Sequence, residues 1–192
     1  MPRQDIFNRP IAQTTALTVA TAVSGSIATD PQSDWYAALD LPAWQPPGWL
    51  FPVVWTGLYT SIAVTSAKVL HTLDAESGKK HADAYRAALV TNLLLNQAWS
   101  WAFFKAHKLP LSTVVAGLLA ASSIDLARRS GRAGAGKAAA LAPYAAWCSF
   151  ATVLTRRSDA ATAESGQTSA SARMGPCPPP SRPPVPALHP PG

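Results

Sequence analysis

Charge is scarce in this chain. Asp, Glu, Lys and Arg together make 14% of its 192 residues, where a soluble domain carries about 25%. A water-soluble globule or a solvated coiled coil of this length needs more charge to cover itself. Cysteine is scarcer still: Cys148 and Cys177 are the only two, too few for a disulfide framework. The four histidines, His71, His81, His107 and His189, lack the spacing of metal ligands, so no metal centre is expected. No acid–base pair or nucleophilic constellation stands out either. Residues 158–192 hold no Phe, Trp or Tyr, and their two acids balance their two bases. The net charge of +6 is therefore carried by residues 1–157. It does not indicate a nucleic-acid partner, because the bases fall in short clusters between apolar runs rather than along one stripe.

What the chain does have is long apolar runs and tryptophan, seven in all. Five runs stand out, at residues 11–28, 49–70, 84–104, 109–127 and 138–155. Each approaches the roughly 20 residues that cross about 30 Å of hydrocarbon as a helix. The last four show no charged stripe, as a soluble amphipathic helix would. The fold class expected is all-α, an integral membrane bundle of five transmembrane helices, occupying residues 1–157. The first run is interrupted by Thr and Ser and has a signal peptide as its alternative, but no basic cluster adjoins its start and Asp30-Pro31 follows it. Residues 158–192, with nine of the eighteen prolines, are expected to be a disordered tail.

The loops orient this bundle. Arg3, Arg9, Lys68, Lys79, Lys80, Arg86, Arg128, Arg129, Arg132 and Lys137 fall on one side, and Lys105, Lys108, Arg156 and Arg157 on the other. The positive-inside rule then puts the N-terminus in the cytoplasm. The segment from Thr29 to Gly48, with Asp30, Asp34 and Asp40 and no base, faces away.

Several patterns carry chemistry. Asn92, Asn96, Trp99 and Phe103 recur at helical spacing and share one stripe of the third run. Carboxamides in hydrocarbon need a partner or a cavity, so the stripe is either interhelical glue or one wall of a ligand pocket. Trp55 and Tyr59 share a face of the second run, and Tyr144, Trp147 and Ala151 a face of the fifth. Three aromatic faces turned to one interior suit a flat apolar ligand with a polar group, although Trp near span ends also serves as an interfacial belt. The segment WYAALDLPAWQPPGW (Trp35–Trp49) is stiffened by Pro42, Pro46 and Pro47, and reads as a lid or as a segment lying on the headgroups. Small residues at Thr21, Gly25 and Thr29, and at Thr113, Gly117 and Ala121, allow close helix packing within one chain or in a homodimer. GRAGAGKA (Gly131–Ala138) mimics a phosphate loop, but Ala138 replaces the Mg²⁺-binding hydroxyl and no strand precedes it. Asp125 lies at ion-pair spacing from Arg128 and Arg129.

Taken together these residues resemble the TspO/MBR family of tryptophan-rich sensory and translocator proteins. The ordered matches are Gly25-Ser26; Trp35-Tyr36 with Leu39, Pro42, Trp44, Pro46 and Pro47; Trp55 with Leu58 and Tyr59; LLLNQAW (Leu93–Trp99) with Phe103 and Phe104; and PYAAWCSFATVL (Pro143–Leu154). The resemblance spans about residues 11–155. It implies a five-helix bundle, often dimeric, whose first long loop closes a pocket for porphyrins such as protoporphyrin IX and for isoquinoline or benzodiazepine drugs. No cofactor is required. By motif, Trp55 and Asn96 contact a ligand carbonyl, Tyr36, Phe103 and Ala151 line the pocket, and Trp35 and Trp147 match the tryptophans tied to light-dependent porphyrin breakdown. The function implied is that of a membrane tetrapyrrole-binding sensory or stress-related protein. The alternatives are a transporter of porphyrin or a similar solute, and a protein that degrades porphyrin in light. The residence implied is a bacterial envelope membrane, or alternatively the mitochondrial outer membrane. The chain departs from the family at Pro52, one position early before Trp55. ATVLTRR also lacks the Tyr of a cholesterol-type motif, so cholesterol is not carried over.

Overall fold

The computed structural model describes residues 3–174. The fold is all-α; among the described residues there is no strand. Five long helices account for most of it: α1 (Arg3–Ala28), α3 (Leu50–Thr72), α4 (Lys79–Ser100), α5 (Leu109–Ser130) and α6 (Ala135–Met174), with a one-turn helix, α2 (Asp34–Ala37), in the first long loop. Short π-helical segments extend α3 over Leu73–Ser77 and α4 over Trp101–Lys105.

An apolar core of Leu58, Ile62, Leu70, Leu89, Leu126 and Tyr144 is surrounded by a surface that is also rich in large apolar side chains, unlike that of a soluble protein. Ile27, Leu94 and Val114 are each at least 60% exposed. Thr14, Ser66, Asn92, Asn96, Ser112 and Ser123 are buried. Water would penalise such a surface and hydrocarbon does not. The protein is therefore an integral membrane bundle. Four helices are long and apolar enough to cross a membrane, over Pro10–Ala28, Leu50–Ser77, Leu109–Ala133 and Ala135–Ser165. The remaining long helix, α4, matches them in length but carries Asn92, Asn96 and Gln97 in its middle. It sits between α1 and α5, so its carboxamides meet protein and not lipid.

Most hydroxyls in the spans find an acceptor within the chain. In α1, Thr14, Thr18, Thr21 and Ser26 each donate to the carbonyl four residues earlier. Thr14 also donates to the Ala63 carbonyl of α3 at 3.0 Å. The Gln97 side-chain amide donates to the Thr21 carbonyl of α1. Such bonds explain why a run broken by Thr and Ser still packs as a helix of the bundle. The small-residue stripes serve contacts within the chain: Gly117 faces Thr152 of α6, whose hydroxyl donates to Ala116 at 2.9 Å. Gly25 lies beside Gln97, Ser100 and the Tyr59 hydroxyl. Pro52 is the third residue of α3, where no helical N–H is needed, so its early position breaks no hydrogen bond.

The turns follow ordinary backbone rules. Gly78, at φ +81° and ψ 162°, sits between the π segment and α4 in a region that only glycine enters freely. Arg86 ties that turn by pairing with Asp74 at 2.6 Å and Asp83 at 2.8 Å, and Lys79 pairs with Asp83 at 3.0 Å. The hydrogen bond from Lys79, seconded by Arg86, holds the Asp83 carboxyl below the usual carboxylate range. Asp125 pairs with Arg129 at 2.6 Å. Gly131–Ala133 forms a 3₁₀ turn between two helices, which removes the strand–loop–helix context a phosphate loop requires.

One boundary differs from the sequence-based expectation. The last helix continues past residue 157: α6 runs on without a break to Met174. Apolarity ends at Arg156-Arg157, but Ala160-Ala161-Thr162-Ala163-Glu164 favours helix. Extending an existing helix avoids the nucleation step that makes isolated short helices unstable. The rest of the expected tail, residues 175–192, lies outside the described residues.

Candidate functional site

The sequence-predicted site residues fall into three aromatic groups. The innermost surrounds Asn96. Trp55 of α3 lies 5.3 Å from Tyr59, ring centre to ring centre, and 6.4 Å edge-on from Tyr144 of α6. The Tyr59 hydroxyl donates to Asn96 Oδ1 at 2.8 Å. Asn96 is 1% exposed, and its Nδ2 is buried without a hydrogen-bond partner in the protein. One turn earlier, Asn92 is fully used. Its Nδ2 reaches Ser123 at 3.0 Å and Ser122 at 3.3 Å, and its Oδ1 accepts from the Tyr144 hydroxyl at 2.8 Å. Spacing alone gave these two carboxamides the same standing. Asn92 is interhelical glue between α4, α5 and α6. Asn96 keeps a donor in reserve.

The second group is the lid. Ser33 caps α2 by accepting from the Tyr36 N–H at 3.4 Å, which fixes Trp35 and Tyr36 on one short turn. Trp35 meets Phe103 edge-on at 5.4 Å and stacks on His107 at 4.1 Å with planes 11° apart. Tyr36 lies 6.4 Å from Phe103 and 5.8 Å from Phe104, and its hydroxyl accepts from Gln45 Nε2 at 3.0 Å. Leu39 and Leu109 complete the cluster, with Leu41 packed against it. The π segment of α4 widens the last turn, and the Ala106 N–H reaches back to the Trp101 carbonyl. It presents Phe103 and Phe104 together to the lid. Segments of this kind are frequent at functional sites.

The third group holds Trp147 of α6, 5.8 Å from Phe51 and 5.4 Å from Phe150. Phe150 in turn meets Trp44 of the lid loop edge-on at 5.8 Å. Ala151 follows one turn later, half-buried, its carbonyl accepting from Thr155. Trp147 packs with the Asn96 group in the main core, whereas Trp35 and Phe103 belong to the separate lid cluster. The apolar grooves that open along α1 and α4, of about 390 and 230 Å³, are lined by none of the seven predicted site residues.

Two residues take roles that spacing did not assign. Trp99 belongs to the lid cluster, stacked 5.6 Å from Phe103, and its indole N–H is buried without a partner. Its place on the stripe with Asn96 was the available signal. His107, at the tip of the α4–α5 turn with φ +54°, supplies the face on which Trp35 rests. A lone exposed histidine in a loop gives no such signal. Among the described residues no group of His, Cys, Asp or Glu has the geometry to hold a metal.

The chemistry on offer is stacking plus donation. Asn96 Nδ2 and Trp99 Nε1 are buried donors left over after the protein's own bonds are made. Leaving such a group unpaired costs roughly 1–3 kcal/mol, which a ligand acceptor recovers.

Comparison with known proteins agrees with this architecture. Residues 14–158 match the TspO/MBR family. The chain is 34% identical over 140 residues to the tryptophan-rich protein TspO of Chlorobaculum tepidum, covering 72% of this chain and 86% of that one. It is 31% identical over 121 residues to the TspO of Bacillus cereus, covering 63% and 76%. It is 34% identical over 124 residues to the translocator protein of Homo sapiens, covering 62% and 70%. With four helices fit to span a membrane, a fifth long helix, α4, packed between α1 and α5, and a match that runs through all five, the chain belongs to the TspO/MBR family.

Proposed function

We propose that this protein binds a tetrapyrrole such as protoporphyrin IX inside the bundle and serves as a membrane sensor of it. The observation that carries this reading is the unpaired donor of Asn96, buried beside Trp55, Tyr59 and Tyr144. A flat ring stacks on the indoles and a polar atom of the ligand accepts from Asn96. Lys105 and Lys108 flank His107 on the turn beneath Trp35 and are exposed, so they supply positive charge where the ring's carboxylates would emerge. Isoquinoline carboxamides and benzodiazepines, which offer one carbonyl on an aromatic frame, suit the same donor. No further cofactor is needed. The base-rich loops support a cytoplasmic N-terminus, and a bacterial envelope membrane is the residence proposed.

A competition experiment tests the single shared pocket. Protoporphyrin IX bound to the purified protein should be displaced stoichiometrically by an isoquinoline carboxamide. Independent binding of both would contradict a shared donor at Asn96.

A further inference from the structure

The match to the family ends at residue 158, yet α6 continues to Met174. Ser165 lies ten residues beyond Thr155, so the helix projects roughly 15 Å past the end of its uncharged apolar run at 1.5 Å per residue. It emerges on the side of the lid loop. We propose that this extension is a brace that positions the lid, with Ser165 and Asp40 as its contact pair, and that it thereby sets how fast ligand enters and leaves. The kinetic half of the proposal rests on the reading of the bundle as a tetrapyrrole site.

The extension is packed along one side. Thr155 and Ser158 are buried, Asp159 is half-buried, and Arg156 and Arg157 stay exposed. Thr113 of α5 donates to Asp159 Oδ2 at 3.4 Å, and the Thr162 hydroxyl oxygen is buried without a hydrogen-bond partner. One turn further, the Ser165 hydroxyl donates to the Asp40 carboxylate. Asp40 is exposed, but its neighbours Leu39 and Leu41 both pack into the lid cluster. Pinning Asp40 from outside therefore holds those two side chains in place.

The lid is tied at two ends. Trp35 and Tyr36 fasten its first half to the end of α4 and the turn after it, through Phe103, Phe104 and His107. Asp40 and Trp44 fasten its second half to α6, through Ser165 and Phe150. The first tie is a buried aromatic cluster. The second includes a solvent-exposed polar contact, and exposed polar contacts are the ones that open first. Opening at the α6 side leaves the aromatic hinge intact, which is how a lid admits a flat ring without unfolding.

The test uses the full chain in lipid nanodiscs, a variant ending at Arg157, the point variants Asp40→Ala and Ser165→Ala, and their double. Hydrogen exchange of the amides of residues 34–45 reads the lid without any ligand. The protoporphyrin IX dissociation rate reads the gate. The truncation and each point variant should speed lid exchange and dissociation about three- to tenfold, the factor expected for one charge-assisted contact at a wet surface. Amides of α1 and α4 should be unchanged, and the double variant should be no faster than either single. Lid exchange at the wild-type rate in the truncation and in Asp40→Ala would overturn the brace. Exchange that rises equally in α1 and α4 would also overturn it, because the extension would then stabilise the whole bundle. A wild-type protein that binds no porphyrin overturns the functional reading instead, and the lid exchange still decides the brace.

Discussion

At the scale of the residue, the two carboxamides of α4 carry the distinction between structure and site. Both sit at helical spacing on one stripe, and both are almost wholly buried. The sequence shows that they face inward, but the serines and tyrosines that meet them come from α3, α5 and α6, so only the assembled bundle shows which has a donor to spare. Asn92→Ala removes the acceptor for Tyr144 and both serine contacts, and should lower thermal stability by about 1–2 kcal/mol. Asn96→Ala should instead weaken a carbonyl-bearing isoquinoline ligand by roughly 1–3 kcal/mol with a smaller loss of stability. Equal losses of affinity at both positions, each accompanied by a lower melting temperature, would make the whole stripe a packing device. The tryptophans divide in a similar way. If the protein degrades porphyrin in light, Trp35 and Trp147 are the indoles placed by motif, and their substitution by Phe keeps a stacking face while removing the easily oxidised ring. Each should slow the loss of the porphyrin absorbance band several-fold under constant light. Trp99 lies within the lid cluster and is unsuitable as a control, whereas Trp101, 45% exposed and outside that cluster, is suitable. Slowing in Trp101→Phe to the same degree as in Trp35→Phe and Trp147→Phe would remove the assignment to particular indoles.

At the scale of the element, most helix positions were legible because apolar run length alone sets a membrane span. The five expected runs and the five long helices agree to within a few residues at most ends. The exceptions have physical causes. α1 begins earlier than its apolar run, and α6 ends later, because helix propagates into polar sequence once a stable segment has formed. The second half of α4 is not a plain α-helix, since the π segment at Trp101–Lys105 depends on what the lid packs against it and leaves no mark in hydropathy. The turn before α4 is set by a backbone requirement. Gly78→Ala forces a side chain into a glycine-only conformation, and should destabilise the protein by about 1–3 kcal/mol. Gly136→Ala, at a helical position with open space around it, should be neutral or slightly stabilising in the same thermal melt. A Gly78→Ala variant as stable as wild type would show that the turn adapts.

At the scale of the whole molecule, the bundle is organised by where polar groups can be satisfied. Thr and Ser hydroxyls mostly bond back to their own helices, carboxamides and tyrosines bond across helices, and apolar side chains fill the core and also cover the outer surface. One carboxamide donor, with one indole donor under the lid, is left free among aromatic rings. That surplus, enclosed in a bundle of the TspO/MBR family, supports the reading as a tetrapyrrole binder. The direct measurement is a titration of the purified protein with protoporphyrin IX in detergent, followed by quenching of tryptophan emission in darkness. Quenching should saturate at about one ring per chain with a dissociation constant in the micromolar range, about 8 kcal/mol of binding free energy. Quenching that never saturates and matches the partition of porphyrin into empty micelles would contradict the site.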